Sequence, residues 1–307
     1  MNNYGFLRLI LPFFMSTAIA AVAVASVPAP LLDGRSLLPV NASQIIERIR
    51  PGSVLILGEN HGIAPHRDQH LTVLNLLRQQ GFKVSVGMEF INHTDQPFVN
   101  QYLAKQLDED AFLKAISWQG FPFEFYKQQI LFPNLCDGEL TLGLNVPRTI
   151  TSKIAKTGLD SLSVDERQLL PIDFTLGRDS YKARFAKIMH VPPGPALDRY
   201  FTAQSAWDDT MAFQAVKFLD LNPKHVLVII VGEFHLQYGG GLADRILARQ
   251  PNTNIVSVSQ VWAVNFLADG SEVPMTEAEI QKEITPSDSE GPRGDFLWIS
   301  KPLAQGS

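Results

Sequence analysis

The chain has 307 residues, 45% of them hydrophobic and 19% charged, with a net charge of −5. That balance excludes a disordered chain and suits one large domain or two modest ones. Lys and Arg form no run or stripe, which excludes nucleic acid as an expected partner, and the lone Cys136 excludes an intrachain disulfide.

Arg8 is the only charged residue before Asp33, and an apolar stretch follows it, broken only by Ser16 and Thr17. The stretch ends in Ala23-Val24-Ala25. This pattern predicts a cleavable signal peptide over 1–25 and a periplasmic or secreted mature protein. An uncleaved N-terminus is the alternative, and the one route to membrane association. No cysteine follows the cleavage point that could carry a lipid.

Residues 26–40 read as a linker. Helical spacing over 42–49 stops at Pro51, and the apolar run 54–57 predicts a strand buried on both faces. A helix is predicted over 65–80, with Pro65 near its start and Gly81 after its end, then a strand over 84–90. Helical segments at 96–107 and 110–116 lead into an aromatic cluster, 118–125, and a short helix ending near 130. A strand over 141–146 precedes a mostly helical region, 151–223, broken at 190–195. Strands over 226–231 and 255–264 flank a helix at 242–249; a polar stretch, 271–294, precedes a late edge strand at 296–300. Apolar strands alternating with helices predict an α/β fold, a mostly parallel sheet flanked by helices. The long insertions, about 95–135 and 151–223, predict a helical cap or subdomain. One domain is expected over 41–268, with a polar extension over 269–307.

Ligands of open parallel sheets bind outside the carboxyl ends of the strands. Those ends deliver Gly58-Glu59-Asn60-His61, then Glu89, then Arg148, then Gly232-Glu233-Phe234-His235. Two near-identical Gly-Glu-x-His turns, each after an apolar strand, mark Glu59, His61, Glu89, Arg148, Glu233 and His235 as candidate catalytic residues. Imidazoles beside carboxylates suit a divalent metal (Zn, Mn or Fe) held by His61, His235, Glu59 and Glu233, and equally suit metal-free acid–base chemistry. His66 and His70 share a helix face, with His66 nearer the motif. Arg148 could instead pair with one of the carboxylates, and Asp209 could face either the site or solvent. The glycines 239–241 lack the Lys and Ser/Thr of a phosphate loop and read as tight-turn packing. Tyr126, Tyr181, Tyr200 and Tyr238 have the chemistry of axial haem ligands, and each also suits packing.

Glu-Asn-His at 59–61, Gly-Met-Glu at 87–89, Asn-Val-Pro-Arg at 145–148, the run 203–212 and Gly-Glu-Phe-His at 232–235 resemble the ChaN family of haem-binding proteins. Its superfamily also holds the Tiki metalloproteases and the erythromycin esterases, and the resemblance covers about 45–265. It implies an α/β core with helical additions, export, and haem binding linked to iron uptake. His66 and Tyr238 are then the cofactor-binding candidates, and the aromatic stretch 118–126 is a candidate apolar face for haem. The chain departs from many family members in lacking a lipid-bearing cysteine and in carrying Glu233 in its second motif. Both Gly-x-x-His pairs that Tiki-type proteins use for metal are intact. The expected partner is haem or another small-molecule ligand; a metal-dependent hydrolase and a metal-free esterase are the alternatives.

Overall fold

The computed structural model describes residues 30–267 and 271–301. The expected signal segment, 1–25, lies outside the described residues. The strands are β1 (Leu31–Asp33), β2 (Val54–Glu59), β3 (Lys83–Asn92), β4 (Thr141–Asn145), β5 (His225–Gly232), β6 (Ile255–Trp262), β7 (Val264–Phe266), β8 (Glu272–Pro274) and β9 (Phe296–Ser300). Seven form one sheet in the order β1-β9-β6-β2-β5-β3-β4, parallel throughout except where β1 runs against β9. Strands β7 and β8 make a separate antiparallel ribbon.

The helices are α1 (Ser43–Glu47), α2 (Ala64–Gln79), α3 (Gln96–Leu103), α4 (Glu109–Ala115), α5 (Lys127–Ile130), α6 (Arg148–Thr157), α7 (Val164–Arg167), α8 (Asp179–Ile188), α9 (Pro195–Leu221), α10 (Glu233–Leu236), α11 (Leu242–Arg249) and α12 (Glu277–Ile284). Successive strand residues point to opposite faces, so an unbroken apolar run feeds two cores at once. Leu55, Leu57, Val226, Val228 and Ile230 pack with α1, α2 and the 99–130 aromatics on one face. Val54, Ile56, Leu227, Ile229 and Val231 pack against α9 and α11 on the other. Burial of each such side chain contributes about 1.5–3 kcal/mol.

The α/β sheet matches the expected architecture, with three local differences. Leu31–Asp33, inside the expected linker, pairs with β9 and takes the sheet edge, so β9 lies inside the sheet. The C-terminal half of α9 (Met211, Ala215, Phe218) covers the sheet itself, and the parts of the 151–223 insertion that stand over the site are α8 and the N-terminal half of α9. The stretch 271–294 contains α12, which buries Ile280 and Ile284 and starts with a capping box between Thr276 and Glu279. Among the described residues no helix is long and apolar enough to cross a membrane.

Candidate functional site

Strands β2 and β5 are neighbours, in register with Glu59 opposite Gly232, so the two Gly-Glu-x-His turns leave the sheet side by side. The motif glycines permit the close approach. A β-carbon at Gly58 would run into the Glu233 carboxylate, and one at Gly232 would lie 3.0 Å from His61 Nε2. The imidazole of His61 therefore rests on the β5 backbone.

Strand β3, on the other side of β5, brings in Glu89. Its Oε2 accepts from the Gly232 N–H at 2.6 Å, and its Oε1 lies 3.4 Å from His235 Nε2. The other ring nitrogen of His235, Nδ1, meets Asp208 Oδ1 of α9 at 2.6 Å. Behind Asp208, the buried Tyr181 hydroxyl donates to Oδ2 at 2.9 Å. The His61 side has a similar backing: Nδ1 meets Glu59 Oε1 at 2.9 Å, and the Tyr126 hydroxyl donates to that same oxygen at 2.6 Å.

These contacts separate the protonation states. Burial alone would lower the basicity of His235, but Asp208 and Glu89 outweigh it and raise its pKa to about 10, so the ring is an imidazolium. Burial would likewise raise the Glu89 carboxyl, yet His235, His61 and the Gly232 N–H hold it down at about 2. For His61, burial opposes protonation, but Glu59 and Glu89 prevail and its pKa is raised. The site thus holds a fixed cation at His235, an anion at Glu89 between the two rings, and a partly exposed imidazole at His61.

These groups line a cleft of about 730 Å³, a size suited to a small ligand. Phe185, Ile188, Met189, Trp207, Phe234 and Phe266 form its apolar wall, and among the described residues no Lys or Arg lines it. The 118–126 aromatics do not supply this wall. Trp118, Phe123 and Tyr126 pack with Phe90 in the sheet core, and Phe121 stands behind the His61 ring.

Not every expected site residue is free to meet a ligand. Glu233 lines the cleft, but its carboxylate is tied down: Oε1 accepts from the Gln260 N–H at 2.7 Å, and Oε2 from Ser259 Oγ at 2.7 Å and from Arg293 at 3.3 Å. Arg148 stands exposed at the start of α6, paired with none of the three glutamates. His66 is fully buried, its Nδ1 accepting from the Asn60 N–H at 3.1 Å, and burial together with His70 pushes its pKa down to about 3. It pins the motif turn from below. Tyr238 has a left-handed backbone (φ 58°) and packs under the Arg184 guanidinium, outside the cleft lining. Tyr126 and Tyr181 are buried with their hydroxyls on carboxylates, which together with burial hold both phenols far above their usual pKa. Tyr200 is 41% exposed and does not line the cleft. Of the glycines 239–241, Gly240 and Gly241 pack against Arg184, Tyr181 and Asp208, while Gly239 and Gly241 take left-handed backbone (φ 65° and 66°), as a tight turn requires.

Glu59, His61, Glu233 and His235, the expected metal set, all line the cleft, but their polar atoms are committed to other partners. Glu59 is engaged by Tyr126 and His61, Glu233 by Ser259, Gln260 and Arg293, and His235 has a carboxylate at each nitrogen. Among the described residues no group of three or more His, Cys, Asp or Glu side chains is arranged to hold a metal ion. Sequence reading left the α9 aspartates unassigned. Asp208 faces the site, whereas Asp209, about 100° further round the helix, is clamped by Arg249 at 2.7 and 3.1 Å.

The family model described as haem-binding uptake, Tiki superfamily, ChaN matches residues 45–246. Among solved structures, the chain is similar to Campylobacter jejuni ChaN, described by its cofacial haem binding, with a TM-score of 0.60 at 16% identity over 88% of this chain and 95% of that one. It is also similar to an erythromycin esterase mutant, EreC, in its open conformation, with a TM-score of 0.48 at 13% identity over 89% and 97% of the two chains. A Bacillus cereus protein follows at 0.45 and 11%, over 89% and 94%. At these identities the likeness is one of fold, and only the first exceeds a TM-score of 0.5. No curated protein matches the sequence.

Proposed function

Because the chain belongs to the ChaN family of haem-binding uptake proteins within the Tiki superfamily, we propose that it is an exported haem-binding protein of iron uptake, with its ligand held in the cleft at the carboxyl edge of the sheet. The observation that carries this reading is the state of His61. Its Nδ1 is committed to Glu59, which leaves Nε2 over Gly232 at the cleft and 29% of the side chain exposed. A ring nitrogen anchored by a carboxylate, with the other facing a cavity, is the arrangement in which histidine serves a metal centre. The apolar wall of Phe185, Ile188, Met189 and Phe266 fits a flat aromatic macrocycle. Among the described residues no Lys or Arg lines the cleft, which leaves the His235 imidazolium as the cation beside the ligand.

Bound haem supplies one iron coordination position for a protein donor; the chain's part is to present the His61 nitrogen and exclude water with the apolar wall. A haem titration tests this. Micromolar protein is expected to shift the Soret band, and His61→Ala to abolish the shift; an unshifted band in the unaltered protein, or unchanged affinity in His61→Ala, overturns it. Export is tested by fractionating cells expressing the full chain, with the mature form, lacking 1–25, expected outside the cytoplasm.

A second reading rests on the carboxylate-flanked imidazolium His235 beside His61. In it His61 takes a proton from water, which attacks an ester carbonyl while the His235–Glu89 pair steadies the developing charge; the tetrahedral intermediate then breaks its bond to the alkoxide, which leaves as the alcohol with the proton returned from His61. This metal-free hydrolysis survives chelators and is lost in His61→Ala.

A further inference from the structure

Behind each motif histidine stands a carboxylate, and behind each carboxylate a buried tyrosine, but the two chains of contacts are wired differently. On the His235 side the donors use separate oxygens: the ring takes Asp208 Oδ1 and Tyr181 takes Oδ2. On the His61 side both donors meet one oxygen. Glu59 Oε1 accepts from the ring at 2.9 Å and from the Tyr126 hydroxyl at 2.6 Å.

Two donors on one oxygen compete for its electron density, and the shorter bond takes the larger share. The strength of a carboxylate's hold on Nδ1–H sets the donor strength of the far nitrogen. Tyr126 is 1% exposed and its ring is packed on Phe90 at 4.6 Å and Trp118 at 5.8 Å. Its hydroxyl therefore stays on Glu59 and is not free to reach the cleft.

We propose that Tyr126 is a positioning residue that weakens the grip of Glu59 on His61, and so moderates how strongly His61 Nε2 donates to the cleft ligand. The proposal rests on the reading that His61 faces the ligand. Tyr181, on the other oxygen of its aspartate, leaves the grip on His235 undiluted.

The test compares Tyr126→Phe with Glu59→Gln in ¹⁵N-histidine-labelled apo protein, at a pH where His61 is neutral. Losing the competing phenol strengthens the remaining bond, so the His61 Nδ1–H resonance moves downfield in Tyr126→Phe. It moves upfield in Glu59→Gln, where a neutral amide replaces the carboxylate, and stays in place in Tyr181→Phe. In ferrous haem-loaded protein the iron–histidine stretching frequency rises in Tyr126→Phe and falls in Glu59→Gln. A purely structural role would move both variants the same way, and that result, or no movement in Tyr126→Phe, overturns the proposal. Should Tyr126→Phe not fold, fluorotyrosine at position 126 donates more strongly and is expected to move the apo resonance upfield; no movement overturns the proposal equally. A failed haem titration with the apo resonances moving as stated removes haem as the ligand and supports the role of Tyr126.

Discussion

The imidazolium at His235 gives a quantitative test, because Asp208→Asn removes one of its two carboxylates while keeping the shape of the side chain. The folded pKa of about 10 stands against 6.5 for an ordinary histidine. At about 1.4 kcal/mol per pH unit that separation corresponds to about 5 kcal/mol of stability, shared between Asp208 and Glu89. Losing Asp208, at 2.6 Å the nearer partner, is expected to cost about 3 kcal/mol at neutral pH, within the range for breaking a buried charged pair. The sign follows from linkage. A folded pKa raised above the unfolded one makes the stabilisation complete below 6.5 and removes it as pH climbs through about 10. The gap between the parent and Asp208→Asn should therefore be widest near pH 6 and close toward pH 10. Urea unfolding of both proteins at several pH values measures it, since titrations common to the two cancel in the difference. A gap independent of pH, or one below about 1 kcal/mol at pH 6, would refute the assignment of a buried imidazolium.

The remaining expectations follow from the same contacts. Gly58→Ala drives a β-carbon into the Glu233 carboxylate and should cost about 1–3 kcal/mol in thermal or chemical unfolding; a neutral effect would mean that the two turns are not pressed together. His66 has a folded pKa near 3 against 6.5, so the unfolded chain gains the proton first and stability falls as pH drops from 6.5 toward 3. His66→Asn should flatten that acid limb in melts between pH 7 and 4. Glu233→Gln, which strips a buried partner from Arg293, should lower stability by about 2–4 kcal/mol while the folded protein keeps its ligand affinity. Arg148→Ala should change stability by less than about 0.5 kcal/mol and leave ligand binding untouched; a loss of binding would return that arginine to the site.

How much of this was legible in the sequence depended on the range of the signal. The strands announce themselves because a run such as Val226–Val231 must be buried on both faces, and their carboxyl ends locate Glu59, Glu89 and the two histidines together. The division of labour among the acids was not legible. Glu59 and Glu233 occupy equivalent places in matching motifs, yet Glu233 meets Ser259, Gln260 and Arg293, partners 26 to 60 residues away. Asp208 and Asp209 are adjacent letters whose separation depends on the phase of a 27-residue helix. The cleft wall was missed because Ile188, Met189 and Phe266 carry no pattern of their own. Helix α12, by contrast, left a local signature in Thr276 and Glu279, three apart ahead of Ile280.

Helix α9 acts as a shaft with a key in it. Arg249 grips Asp209 with two bonds from α11, so α9 cannot roll about its long axis without breaking a buried ion pair. One step back along the same helix, the aim of Asp208 at His235 is fixed by a clamp that never touches the cleft. The chemistry at the sheet edge can therefore be altered one side chain at a time while the scaffold holds its bearing, and damage to the Arg249 clamp should be felt at His235 from a helix that contributes nothing to the cleft lining.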